Sequence, residues 1–328
     1  MEETSGILLP RLREDRKRLS LAWPRRRQQD RWARRSMALL TLAATLLVPV
    51  IAVALFLRAR PILAAVPLKE LLLSTAWHPL KGEFGFYPFI MGTLWVTAMA
   101  MILAVPPSLL TAIYLSEYAP AGFRAVAKPL IDLLAGIPSV VYGVWGMLTI
   151  VPFVEKTVAP VLSRSLGVLG LFRIDNPTGY GVLAGGLVLA VMIFPIIIAV
   201  AEEVIQAVPQ GLREASLALG ATRWQTIRSV VLRRARPGVM AAVVLGLSRA
   251  FGETMAVLMV VGNVVQVPHS IFDAAYPLTA LIANNYGEMM SIPLYDAALL
   301  CGALILLLIV LAFNTASRLV LVRFLRPG

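Results

Sequence analysis

The chain has 328 residues, is 59% hydrophobic, and has a mean hydropathy of +0.79 and a formal net charge of +12. A soluble core of this length does not need so much apolar residue, so the composition points to an all-α polytopic membrane protein. The basic excess is not a nucleic-acid footprint, because 11 of the 30 Lys and Arg fall before Ser36 and the rest sort by side of a membrane.

In chain order, residues 1–35 form a basic tail, RLREDRKRLSLAWPRRRQQDRWARR at its densest, which reads as a disordered arm held near anionic lipid. A first transmembrane helix follows at 36–57, too long and too far from the start for a cleavable signal peptide. Residues 58–83 make an outer segment, rich in Pro and Leu, with room for an interfacial helix. The block 84–317 then holds five more spans, at about 89–115, 133–154, 179–201, 238–262 and 296–317, for a total of six, and 318–328 is a second tail. With the N-terminus inside, 22 basic residues fall on the cytoplasmic side and seven outside, so both tails and the loop 202–236 are expected in the cytoplasm.

Pro106, Pro107, Pro138 and Pro195 would bend the spans, and Gly92, Gly136, Gly143, Gly146, Gly185 and Gly186 would let helices approach closely. Between the last two spans, YPLTALIANNYGEMM suggests a short re-entrant or interfacial helix. Cys301 is the only cysteine, His78 and His269 are the only histidines, and none of the five lysines follows a glycine. An internal disulfide, a metal constellation and a phosphate loop are thereby excluded, and no cofactor is expected. If ATP drives this protein, another chain binds it.

The loop 202–236, EEVIQAVPQGLREASLALGATRWQTIRSVVLRRAR, is long and helically patterned. Pro209 suits a helix start, and Leu212, Ala215, Ser216 and Leu219 share one face. Gly220 fits a C′ stop, Thr222 and Gln225 a capping box, and Trp224, Ile227 and Val231 a face of a second helix. Such a helix–turn–helix either lies on lipid or serves as a docking knob for a soluble partner, its arginines steering it to an acidic rim.

The string EASLALG, followed by Val230 and Leu232, resembles the E-A-A-x3-G-x9-I-x-L-P signature of ABC importer permeases, with Arg233 in place of the final proline. GTLWVTAMAMILAVPPSLLTAIYLSEYAP, LIDLLAGIPSVVYGVWG and GLSRAFGETMAV together are similar to phosphate-transport permeases of the PstC type, over roughly 84–317. The resemblance implies a type I ABC importer permease (MetI-like) fold in the inner membrane, and an ATP-driven importer of inorganic phosphate in which this chain forms half of the pathway. It implies as partners a PstA-type permease, a dimer of ATPase subunits and a periplasmic or extracellular phosphate-binding protein. Glu214, Ala215, Ser216, Gly220 and Leu232 would then form the ATPase-coupling loop, and Pro237 would start the fifth span in place of the missing proline.

Arg249 and Glu253 stand inside that span. Counted from Gly238, Arg249 lies about 16 Å deep, where a charge costs about 2.5–3.5 kcal/mol less whatever pairing restores. The two stand at i and i+4, so they face the same side of the helix. They read either as a self-neutralising pair that holds the bundle together or as a polar site on the translocation path. In the second case the guanidinium fork meets phosphate oxygens, and Glu253 partners it when the path is empty. A permease for sulfate, molybdate or phosphonate is the same-class alternative, and an ion-coupled secondary transporter the different-class one. The absence of a visible inverted repeat and the long docking loop argue against the latter. A membrane enzyme is weaker still, since no cluster of His, Cys or paired acids lies at one depth.

Overall fold

The computed structural model describes residues 5–167, 170–174, 178–288, 292 and 294–325, with side chains between 30 and 319 except that of 166. The basic side chains of the first 29 residues, those of Arg323 and Arg326, and Asn176 ahead of the fourth apolar run lie outside what is described. The chain divides into two units, Met1–Leu57 and Arg58–Gly328. The first is helical along its described length as part of α1 (Ser5–Ala65), where a disordered arm was expected ahead of Ser36. Its apolar run belongs to the candidate span Asp30–Ala65.

The second unit begins with a compact piece that the apolar pattern does not announce. Residues 58–83 fold into the end of α1, then α2 (Leu68–Leu73) and a small antiparallel pair, β1 (Trp77–His78) with β2 (Glu83–Phe84). Trp77 sits among Phe84, Phe86 and Phe89, with ring centroids 4.9–5.5 Å apart. Aromatic pairs at such distances contribute about 0.5–1.5 kcal/mol each beyond their buried area, enough to order a segment with so little regular structure.

Next come α3 (Tyr87–Ile113), α4 (Ala121–Ala135), α5 (Ser139–Trp145), α6 (Val151–Phe153) and α7 (Ala159–Leu166). Single π-turns at Gly146–Ile150 and Val154–Val158 join α5, α6 and α7 into one span, Ser139–Ser165. Each π-turn immediately precedes a helical turn that begins with Pro152 or Pro160 near its start, so the wider turn falls where a proline removes an N–H from the ladder. Pro138 sits at the N-cap of α5, after the chain has broken out of α4 at Gly136. The expected third span, 133–154, therefore takes in the end of an amphipathic helix that is separate from it.

α8 (Val182–Gln206) is the central helix, buried on most sides and packed chiefly on α3. Close approach depends on glycine where expected: a Cβ on Gly186 would stand 2.5 Å from Met99 Cγ, and one on Gly143 would stand 3.1 Å from the Cα of Ala256. Gly136 differs from that expectation, since a Cβ there would meet only carbonyls of its own helix.

Past α8 lie α9 (Gln210–Ala218), α10 (Arg223–Thr226), α11 (Leu232–Gly252), α12 (Met255–Val260), α13 (Leu278–Asn285) and α14 (Tyr295–Leu325). α10 passes through a π-turn, Ile227–Val231, straight into α11, and Pro237 lies inside α11 instead of starting it. Among the described residues, five helices are long and apolar enough to cross a membrane: Asp30–Ala65, Tyr87–Tyr118, Ser139–Ser165, Val182–Gln206 and Tyr295–Leu319. The region expected to supply the remaining crossing, 238–262, folds as α11 and α12, two helices separated between Gly252 and Met255.

Replacing Gly143 by Leu forces α5 away from Ala256 and should cost about 1–3 kcal/mol by overpacking. Thermal unfolding of the detergent-solubilised protein measures this, with Gly122→Ala, whose Cβ would meet nothing within 4 Å, as the neutral control.

Candidate functional site

A span that stops mid-way frees backbone groups that hydrocarbon cannot satisfy. Here several of the freed groups have partners. Glu253 leaves the helix in an extended conformation, φ −72° and ψ 128°. Its Oε1 accepts from the amides of Thr254 (3.2 Å) and Ala256 (3.4 Å), so the side chain caps the start of α12. Its own carbonyl accepts from Thr279 Oγ1 at 3.1 Å. At the far end of α12, Leu258 O accepts from Asn263 Nδ2 (2.8 Å), Val260 O from Gly181 N (3.3 Å) and Val261 O from Ala275 N (3.0 Å).

Thr279, Asn263 and Ala275 belong to the segment that follows α12, and Gly181 precedes α8. Residues 270–281 are buried throughout, and the expected short helix is α13. The segment also caps α8: Val182 N donates to Asp273 O (3.0 Å) and Leu183 N to Ile271 O (2.8 Å). Asp273 holds the turn by accepting from the amides of His269 and Ser270, each at 2.9 Å. Thr93 Oγ1 of α3 accepts from Leu278 N at 2.9 Å.

The break separates the two charges that a continuous helix would align. Glu253 turns inward, half-buried, to a small cavity that it lines with Thr93, Thr97 and Thr279. Arg249 lies on the exposed stripe of α11 with Ala241, Leu245 and Gly252, and among the described residues no ion pair reaches it. The expected pairing of Arg249 with Glu253 is absent. Below Arg249 on the same helix, Ser248 Oγ donates to Asn314 Oδ1 of α14 at 2.8 Å, at the head of a groove of about 570 Å³ between α11 and α14 that ends at Arg318.

The other candidate region is the helix pair α9 and α10. Pro209 caps α9, Gly220 takes φ +83° after it, and Thr222 and Gln225 form the capping box. Glu214, Ala215 and Gly220 are exposed, as is Leu219 at 89% and Trp224 at 49%. Ser216 and Leu232 are only partly exposed. Ser216 Oγ is bonded to Thr226 Oγ1 at 2.9 Å, and Leu232 packs against the buried cluster around Ile205 and Val231. Ile227 and Val231 are buried as their shared face suggested, whereas Trp224 is not. Sequence reasoning missed Glu117, Arg213 and Arg223, which join this pair to α3. The available signal was Pro120, which ends a helix whose last carbonyls then need donors.

A bundle of apolar spans, one of them broken around an exposed guanidinium, with an exposed helical knob at one end, has the build of a transport permease. A family model described as binding-protein-dependent transport system inner membrane component matches residues 108–326. Phosphate transport system permease protein PstC of Xylella fastidiosa is 39% identical over 256 residues, covering 77% of this chain and 78% of that protein. PstC of Haemophilus influenzae is 38% identical over 255 residues, 77% and 80% of the two chains, and the probable ABC transporter permease YqgH of Bacillus subtilis 40% over 256, 76% and 78%. Among solved structures, a chain of the inward-facing MetNI methionine ABC transporter superposes with a TM-score of 0.52 at 22% identity, covering 72% of this chain and 94% of that one. The chain thus belongs to the binding-protein-dependent transport inner membrane components, in their PstC branch, and has their MetI-like fold. It is a transport subunit whose ATPase and binding protein are separate chains.

Because Glu253 bonds α12 and not Arg249, the effects of Arg249→Leu and Glu253→Leu on thermal stability should add within about 0.5 kcal/mol. A double-leucine variant more stable than either single one would restore the paired arrangement.

Proposed function

We propose that this chain is the permease subunit of an ATP-driven importer of inorganic phosphate, forming half of the pathway beside a PstA-type permease. A dimer of ATPase subunits sits on its cytoplasmic end, and a phosphate-binding protein delivers from outside. The observation that carries the reading is Arg249, a guanidinium without an ion-pair partner among the described residues, on an exposed stripe of the one broken span. An arginine kept at such depth at a cost of kilocalories is expected to face a cavity or partner rather than lipid. Its planar fork matches two oxygens of a tetrahedral anion, and a single such residue on this side of the path binds weakly enough to release. Glu253 serves the path indirectly, by holding the break that sets where Arg249 stands.

α9 is read as the ATPase-docking helix, with Glu214, Ala215, Leu219 and Gly220 at its surface, and Ser216 and Leu232 as internal supports. Both tails and this helix pair lie in the cytoplasm, in keeping with the 22-to-seven distribution of basic residues. Closure of the ATPase dimer would then move α9 and rock the spans between inward- and outward-facing states.

Arg249→Lys keeps the charge and loses the fork. A lost hydrogen bond to a charged group is worth about 1.5–3 kcal/mol, so phosphate uptake should fall about tenfold or more while co-purification with the ATPase persists. Uptake of labelled phosphate, with sulfate as control, measures it. Unchanged uptake removes Arg249 from the path, and equal uptake of sulfate shifts the substrate to another oxyanion.

A further inference from the structure

The end of α3 is held in a way that neither helix capping nor packing alone requires. Its last turn is a π-turn, Tyr114–Tyr118, and Pro120 has no N–H to give the carbonyls behind it. Those carbonyls are taken by arginines from two other elements. Arg124 of α4 donates to Leu115 O (2.8 Å) and Ser116 O (3.0 Å), and Arg223 of α10 donates to Glu117 O. The Arg223 guanidinium also lies 4.7 Å from the centre of the Tyr118 ring.

At the middle of this turn the Glu117 carboxylate receives a fork from Arg213 of α9. Nη2 donates to Oε1 at 2.7 Å, and Nε is 3.2 and 3.3 Å from the two oxygens. The same guanidinium donates to Ile205 O at 2.9 Å and to Val208 O, at the end of α8 and the turn after it. Both side chains are largely buried, at 9% exposed for Glu117 and 17% for Arg213. A second pair, Lys128 with the buried Glu202 at 3.2 Å, ties α4 to α8 but does not reach α9.

We propose that Glu117 is the positioning residue that fastens the docking helix to the transmembrane bundle, so that a displacement of α9 by the ATPase is passed into α3 and α8 together. This rests on the docking reading of α9. A buried ion pair is a poor means of adding stability, since desolvation offsets most of its attraction, but its fixed bidentate geometry makes a rigid joint. Without Glu117, α9 would still reach α8 through the turn at Ala207–Pro209 and through Arg213 to Ile205 O, and α10 would still reach α3 through Arg223, but no ion pair would run from α9 itself to α3. With it, one guanidinium binds the ends of two spans to the helix that the ATPase touches. Contiguous hydrogen-bond and salt-bridge networks joined to rigid helices are among the elements that carry coupling between distant sites.

The test uses the reconstituted importer, this chain with its partner permease, ATPase and binding protein, and reads phosphate moved per ATP hydrolysed. Glu117→Gln should co-purify with the ATPase in normal ratio, keep hydrolysing ATP, and move at least about fivefold less phosphate per ATP, the low end of typical coupling energies. Glu117→Asp, which keeps the charge, should recover part of the ratio. An unchanged ratio in Glu117→Gln overturns the proposal, and so does loss of the ATPase from that variant, which would make the joint a mere support for the docking surface. Leu219→Asp reports on docking alone: if it retains the ATPase, the docking reading itself falls and the joint with it. A measurement that leaves Glu117 in place guards against misfolding of the variants. Spin labels at Gly211→Cys on α9 and Leu110→Cys on α3 should keep one separation in nucleotide-free and ATP-bound importer. A separation that changes between the two states contradicts a rigid joint.

Discussion

The arrangement around the end of α11 follows from the need to pair the backbone groups of a helix that stops among apolar neighbours. Gly252, Glu253 and Thr254 interrupt the helical path from α11 to α12, and the interruption is tolerated because Glu253 caps the next helix with its own carboxylate while Thr279 takes its carbonyl. The re-entrant segment is buried for the same reason. It supplies the amide of Ala275 to Val261 and takes the first amides of α8 on the carbonyls of Ile271 and Asp273. Loop, broken helix and central helix thereby form one hydrogen-bonded unit at that end of the molecule. Arg249, just before the break, is left on the exposed face.

The opposite end solves a related problem with side chains. Three arginines satisfy the carbonyls and carboxylate at the end of α3, and two of the three belong to the helix pair that stands out from the bundle. One end is therefore rigid through main-chain pairing and the other through charge-assisted contacts to a projecting element. A transport subunit driven from one side is served by that division: the joint that must follow a partner is made of groups with a single preferred geometry, and the site to be exposed sits where the backbone is already fixed.

Much of this was legible in the sequence. Apolar runs overlap the five long apolar helices among the described residues, and Thr222 with Gln225 announced a capping box that the structure contains, because capping is a local rule set by neighbours in sequence. Gly220 at φ +83° follows the same logic. The break at Gly252 was not legible, since AFGETMAV keeps a helical apolar pattern and only the distant Thr279 and Ala275 make leaving the helix tolerable. Glu117 escaped notice for a similar reason: its partner is 96 residues away, and in the sequence it is one acid in a span-end turn. Ser216 and Leu232 matched a signature string, yet one bonds across to Thr226 and the other packs inward, because a string fixes order in the chain and not the side each residue faces.

The central claim is that Arg249 lies on a watered path and not against lipid or in a closed pair. Thiol accessibility at that position tests it most directly. Arg249→Cys can be made with Cys301 left in place, since that thiol is buried. In the assembled importer, a charged, membrane-impermeant methanethiosulfonate should modify residue 249, and phosphate should slow the reaction. A thiol at 249 that stays unreactive in both nucleotide-free and ATP-bound importer would contradict the account.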